Sequence, residues 1–245
     1  MRYLLLFLIV YLIPNSQKEA KDNLKSAYPL SIDHIKDNYV FFKDGSKLIY
    51  DDQKVKGTAA LLENPDIEDQ FYYIYTKGSI NENQLSDAGR IRNESFFKKM
   101  YGSSKEAVVK NLVQVVWCPK LVNQTLQFSK VNNAHLALKA VSEELDKHPE
   151  WKKYLSNIGG TFNWRYINGT KRLSNHSFGI TIDLNTSYSN YWQWTCGCTD
   201  EKIKPKYQNK IPQGIVDIFE EHGFIWGGKW LHFDTMHFEY RPELL

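Results

Sequence analysis

Hydrophobic and polar positions along this chain follow three different rhythms, and each predicts a different kind of element. At the start, Arg2 is followed by an unbroken apolar run from Tyr3 to Ile13, which ends at Pro14, Asn15 and Ser16. As a helix that run would span about 16 Å, too short for a bilayer core of roughly 30 Å. A basic residue, a short apolar stretch and a polar boundary predict a cleaved export signal over residues 1–20, with uncleaved anchoring as the alternative. No cysteine follows the run, so a lipid anchor is not indicated. The mature chain is expected to begin between Gln17 and Lys21.

Further along, LVQVVW (Leu112 to Trp117) reads as a buried strand stopped by Pro119. Asn132 or Asn133 then caps a predicted helix whose Ala134, Leu138, Val141 and Leu145 share one stripe. Gly159-Gly160 interrupts the chain before a strand predicted from Thr161 to Ile167, and Asn168-Gly169 makes a turn. In SNHSFGITIDLN (174–185), Ile180, Ile182 and Leu184 alternate with Thr181, Asp183 and Asn185. Period two points Asp183 away from the apolar face. A second helix is marked by Pro212 in its first turn, by Ile215, Ile218 and Phe219 on one face, and by Gly223 past its end. A last strand is predicted from Phe233 to Tyr240. Residues 21–105 are polar and mixed, with turns at Asp44-Gly45 and Asn64-Pro65 and an aromatic run from Phe71 to Tyr75. The mixture predicts an α+β fold, with an N-terminal extension over 21–105 packing on a domain over 106–245.

Composition changes this picture in four places. Aromatic content is high at 14%, which suits either an aromatic-rich core or a cleft for sugars or peptides. A net charge of +3 without a run of basic residues gives nucleic-acid binding little support. Cys118, Cys196 and Cys198 are too few for a disulfide framework and lack CxxC spacing, leaving room for one bridge and one spare thiol. Sequons at Asn93, Asn123, Asn168, Asn175 and Asn185 crowd SNHSFGITIDLN. They read as chance matches in an Asn-rich chain from a cell that does not glycosylate them, hence a bacterium.

The same stretch carries candidate chemistry. A hydrolytic zinc site takes three ligands from His, Asp or Glu and keeps a fourth position open for water. His176, Asp183 and His237 can supply that set, with Gly179 letting the backbone turn so that a loop histidine and a strand aspartate converge. Attack by water needs a base, and Asp234 is tied to His237 by one short segment. Arg165, in FNWRYING, is the candidate for stabilising developing negative charge or for gripping a substrate carboxylate. Trp226 and Trp230, around Gly227-Gly228, either wall a cleft or belong to the core. Glu239 shares the strand face of His237 and can accept from a ligand imidazole. His232 is read as structural or as supporting the site, and His222 as a favourable charge at a helix end. Each residue alone has an ordinary alternative, and the spacing by itself is not diagnostic.

SNHSFGITIDLN and FIWGGKWLHFDTMHFEYRPEL resemble the zinc D-alanyl-D-alanine carboxypeptidases of the VanY type, whose pattern is Ser-x-His-x-x-Gly-x-x-x-Asp followed by acid-x-x-His. By that resemblance His176, Asp183 and His237 are zinc ligands, Asp234 is the catalytic base, Arg165 polarises the substrate and Ser174 lies beside it. Trp226 and Trp230 complete the expected substrate-binding set. The likeness extends through DAGRIRNESFFKKMYG, VVWCPKL and GGTFNWRYINGTKRLSNHSFG, over residues 60–242. Asp at the base position, where some relatives use Glu, shortens the reach by one methylene, and WQWTCGCTD looks like an elaborated loop.

The resemblance implies a small antiparallel sheet carrying the Zn2+ site, flanked by helices as in Hedgehog and DD-peptidase domains, with 106–245 as the catalytic domain. It implies hydrolysis of peptidoglycan stem peptides by a D-Ala-D-Ala carboxypeptidase. An endopeptidase cutting L-Ala-D-Glu or a cross-bridge, and a weakly active zinc-containing cell-wall binding module, are the alternatives. The expected partner is the wall peptide, with no nucleic acid, no stable membrane anchor after signal cleavage and a monomeric state. The expected location is periplasmic or secreted.

Overall fold

A computed structural model describes residues 13–245. The apolar run read as an export signal lies outside the described residues, apart from Ile13. Among the described residues no helix is long and apolar enough to cross a membrane.

The chain enters through α1 (Ile13–Ala27), which buries Leu24 and leads to the fully buried Tyr28. An antiparallel meander follows, β1 (Ile32–Lys36), β2 (Tyr39–Phe42) and β3 (Lys47–Ile49), with Asp44-Gly45 turning the chain between the last two. After α2 (Thr58–Glu63), the amphipathic α3 (Glu94–Tyr101) buries Phe96, Phe97, Met100 and Tyr101. Its N-terminus is fixed by the Asn93 side chain, which accepts a 2.7 Å hydrogen bond from the Phe96 amide. A short α4 (Lys105–Val109) leads to the hairpin of β4 (Leu112–Trp117) and β5 (Gln124–Ser129). The strand read from LVQVVW thus has its expected bounds.

α5 (Ala134–Leu145) buries the predicted stripe of Ala134, Leu138, Val141 and Leu145. Asn133 holds the cap position in a left-handed conformation (φ 59°) without a side-chain cap bond, so it ends the preceding turn and does not satisfy the helix. α6 (Lys152–Leu155) then leads into a four-stranded antiparallel sheet. Its strands are β6 (Ile158–Gly160), β7 (Thr181–Asn185), β8 (Phe224–Trp226) and β9 (His237–Tyr240), in the order β6-β7-β9-β8. Between β7 and β8 lie α7 (Trp192–Cys196) and α8 (Gln213–Glu221). Pro212 sits at the N-cap, one position before the expected first turn, and α8 stacks Phe219 on Phe238 of β9 with ring centroids 4.0 Å apart.

Two predicted strands are corrected. The segment 161–167 is a loop, and the strand is the Ile158–Gly160 stretch before it. Its amides pair with the following loop and not with a ladder: Asn163 donates to the His176 carbonyl, Arg165 to Ser177 Oγ and Ile167 to the Arg172 carbonyl. The last strand starts at His237, four residues later than predicted, because 233–236 is a turn held by the Asp234 amide on the Gly227 carbonyl at 2.9 Å.

One apolar cluster contains Leu24, Tyr28, Phe97, Leu138, Phe178 and Phe238, so the polar-looking first hundred residues share a core with the sheet. The Tyr28 hydroxyl donates to Glu243 at 2.8 Å, which ties the first helix to the C-terminal turn. Leu24→Ala is therefore expected to destabilise the whole fold by about 2–5 kcal/mol in urea unfolding, as for other large-to-small core changes. A loss below about 1 kcal/mol would mean that α1 is peripheral.

Candidate metal centre

The centre is built on one cross-strand pair. β7 and β9 run antiparallel with Asp183 opposite His237, which brings the carboxylate Oδ1 to 3.0 Å from His237 Nδ1. His176 comes from a single turn of 3-10 helix, Asn175–Phe178, capped at Ser174. Gly179 ends that turn at φ 66°, where a Cβ would come within 2.5 Å of Leu112 Cδ2. Only glycine meets both demands without strain. The reversal delivers His176 Nε2 to 3.1 Å from Asp183 Oδ2. One donor atom from each of His176, Asp183 and His237 lies within 4.8 Å of the other two.

Outer contacts decide which nitrogens face inward. The Thr161 carbonyl accepts from His176 Nδ1 at 2.8 Å, leaving the Nε2 lone pair for the centre. Glu239 Oε1 accepts from His237 Nε2 at 2.7 Å, leaving Nδ1. Two imidazole lone pairs and a carboxylate thus converge, each imidazole oriented from behind as in metal sites. His176 Nε2 is buried and makes no hydrogen bond, since it lies off the hydrogen-bond direction of Asp183. A buried nitrogen without a partner is costly, and a cation would satisfy it. The donor set therefore fits a divalent ion.

The charges are held tightly. Burial disfavours the charged imidazole of His237, yet without a cation its hydrogen bonds to Asp183 and Glu239 push it up to about 10, so an ion at the centre would displace the Nδ1 proton. Burial also disfavours the Asp183 carboxylate, but the imidazoles of His176 and His237 hold it well below the usual range. Glu239 is fully buried and held low by Arg92, His237 and Arg241. It also accepts from Asn175 Nδ2 at 2.6 Å, so one carboxylate braces the histidine turn and the histidine strand together.

Asp234 joins the three donors in one cavity of about 420 Å³. Burial pushes its carboxyl up to about 7, and Oδ1 is buried with no hydrogen-bond partner. Its place is set by Gly227, where a Cβ would stand 2.6 Å from the Asp234 carbonyl oxygen. The glycine thus serves close packing of two backbone segments and not approach to a ligand. Arg165 and Ser174 also line the cavity, Arg165 exposed and Ser174 buried, as does Trp230. Trp226 does not. It is fully buried, its Nε1 donates to the Thr235 carbonyl at 2.9 Å and its ring stacks near Phe238, so the cleft-wall reading of Trp226 is corrected to core.

Other residues surround the cavity, and several of them are visible in the structure alone. Arg90, Arg92 and Arg172 line the cavity, although nothing in their spacing pointed there. His232 Nδ1 donates to Asp87 Oδ2 at 2.8 Å while its Nε2 is buried and unpaired. Tyr191 and the exposed Trp194 approach from the N-terminal side of α7, whose last residue Cys196 is bridged to Cys198, while Cys118, after β4, stays buried and free. Asn175 and Asn185 are buried with their amides donating to Glu239 and to the Lys153 carbonyl, which leaves no room for glycans. Two further carboxylate groups, around Asp66, come together among the described residues. The Lys56 ammonium already sits among Asp52, Asp66 and Asp69 and supplies their cation.

Residues 168–240 match the family described as D-alanyl-D-alanine carboxypeptidase, a span that includes all three donors and Asp234. Neither the curated proteins nor the solved structures contain a match to the chain. Zn2+ at a thousandfold excess over its Kd is expected to stabilise the metal-free protein by about 4 kcal/mol, seen as a rise in Tm that a chelator reverses. Asp183→Ala should abolish that rise. A rise that persists in both Asp183→Ala and His237→Ala would place the metal elsewhere.

Proposed function

We propose, from the match of residues 168–240 to the D-alanyl-D-alanine carboxypeptidase family, that this protein is an exported zinc peptidase that removes D-alanine from peptidoglycan stem peptides ending in D-Ala-D-Ala. The observation that carries the reading is Asp234: a half-buried carboxyl whose buried Oδ1 makes no hydrogen bond, in the same cavity as two imidazoles and a carboxylate. A purely structural metal site has no use for such a group.

His176, Asp183 and His237 hold the ion in this reading. When bound, it acts as a Lewis acid toward the scissile carbonyl and lowers the pKa of water beside it. Asp234 accepts the proton that the attacking water loses and passes it to the amine nitrogen as the C–N bond breaks, leaving a new carboxylate and free D-alanine. A carboxyl poised near neutrality can do both. Arg165 sits in the cavity wall without a side-chain partner among the described residues, so its guanidinium is free to meet the carbonyl oxygen as negative charge builds there. Glu239 and the Thr161 carbonyl keep the imidazoles from turning. Ser174 and Trp230 flank the substrate, and the apolar run at residues 3–13 supports work outside the cytoplasm, in the periplasm or secreted.

Asp234→Asn is expected to lower kcat for release of D-alanine from an acylated D-Ala-D-Ala peptide by about 10²–10⁴-fold while one equivalent of zinc stays bound. Turnover equal to the parent, with zinc retained, would remove Asp234 from the chemistry.

A further inference from the structure

One covalent link in the cleft wall takes no part in the chemistry above. Cys196 and Cys198 are bridged across a single residue, Gly197, in an exposed turn at the end of α7. A disulfide that closes so short a loop removes little freedom from the unfolded chain, because that gain grows with loop length. Its contribution as a staple is therefore small. Exposure adds a second property, since disulfides open to solvent are the ones that thiols reach and reduce, whereas structural bridges resist glutathione.

Its position gives the bridge something to control. Upstream, α7 is pinned at its start: the Trp192 amide donates to the Phe233 carbonyl at 2.9 Å, and the buried Trp192 ring meets His232 edge-on with centroids 4.7 Å apart. Two residues on, Trp194 lines the metal cavity while 63% exposed, with Tyr191 edge-on to it at 5.6 Å. Downstream, Glu201 grips Arg90 with two hydrogen bonds of 2.8 and 2.7 Å, and Arg90 lines the same cavity. Between these anchors, Thr199 and Asp200 make no hydrogen bond to any other element among the described residues, and Asp200 only closes its own turn by accepting from the Lys202 amide at 3.0 Å. The bridge and the left-handed Gly197 (φ 63°) thus set the path from Trp194 to Glu201.

We propose that Cys196–Cys198 is a thiol-exchange site whose ligand is a thiol reductant, and that its opened form holds the Trp194 and Glu201 side of the cleft less firmly and binds substrate more weakly. A thiolate of the reductant attacks one bridge sulfur, the S–S bond breaks, and the other cysteine leaves as a thiolate. A second thiol then displaces the mixed disulfide. Two electrons pass to the bridge, the two thiol protons end on Cys196 and Cys198, and the reductant departs as its own disulfide. The exchange stands apart from the peptidase reading above, and only its effect on substrate rests on it.

Cys118 supplies an internal control, since its thiol is buried and becomes reactive only when the fold opens. The zinc-loaded full chain is held in excess reduced glutathione, treated with an alkylating reagent, and its labels are located by mass spectrometry. Labels on Cys196 and Cys198 are expected, with Cys118 untouched. Cys196→Ser combined with Cys198→Ser stands in for the opened form. Trypsin is expected to cut that variant after Lys202 about threefold or more faster than the bridged parent. Its KM for an acylated D-Ala-D-Ala peptide should rise about threefold or more, with kcat within about twofold and zinc retained. The proposal is overturned if Cys196 and Cys198 are labelled only together with Cys118, or if the double variant matches the parent in either tryptic cleavage or KM. If neither chain hydrolyses the peptide, the peptidase reading fails, and the labels and the cleavage rates still decide the exchange site.

Discussion

Asp183 faces His237 across β7 and β9, and this register decides whether a cation can be held at all. Side chains alternate between faces, so a slip of one residue would move one of the pair to the opposite side of the sheet. The register is locked from both sides. Ile182 and Leu184 on β7 and Phe238 on β9 are fully buried, and Phe238 packs on Phe219 and Trp226. The apolar face thus fixes the position of the polar one. His176 depends on a separate device, the turn closed by Gly179, and Glu239 links the two devices through Asn175 and His237.

That division explains how much the sequence made legible. The period-two pattern in SNHSFGITIDLN placed Asp183 on a strand and Gly179 at a turn, and β7 and the left-handed glycine follow it. The donor residues were visible because ligand chemistry restricts residue type to His, Asp or Glu. Their convergence was not visible, since it depends on a pairing between strands more than fifty residues apart. The strand expected at 161–167 failed for a related reason. Its residues look strand-like locally, but its amides are taken by the loop carrying His176. Trp226 misled because a Trp beside paired glycines fits a cleft or a core equally well, and a Cβ at Gly228 would strike its ring at 2.2 Å.

The arginines were the least legible part. Arg90 and Arg92 precede a helix and Arg172 lies in a turn, and no short-range pattern sets them apart from surface charges. Folding brings them together because α3 packs its Phe97 against Phe178 of the histidine turn, with ring centroids 5.5 Å apart. The polar-looking region before residue 105 thereby contributes both core and cleft. Its half-buried arginines answer carboxylates, Arg90 the buried Asp87 and the half-buried Glu201, Arg92 the buried Glu239. Removing one partner of such a pair leaves an uncompensated charge, so the site is sensitive to changes well away from the metal.

Anomalous diffraction at the zinc absorption edge, from crystals grown with one equivalent of Zn2+, tests the central claim most directly. The account predicts one strong peak about 2.0–2.2 Å from His176 Nε2, a carboxylate oxygen of Asp183 and His237 Nδ1, with Asp234 nearby but not ligating. A peak at any other residues, or none with zinc bound in solution, would contradict it.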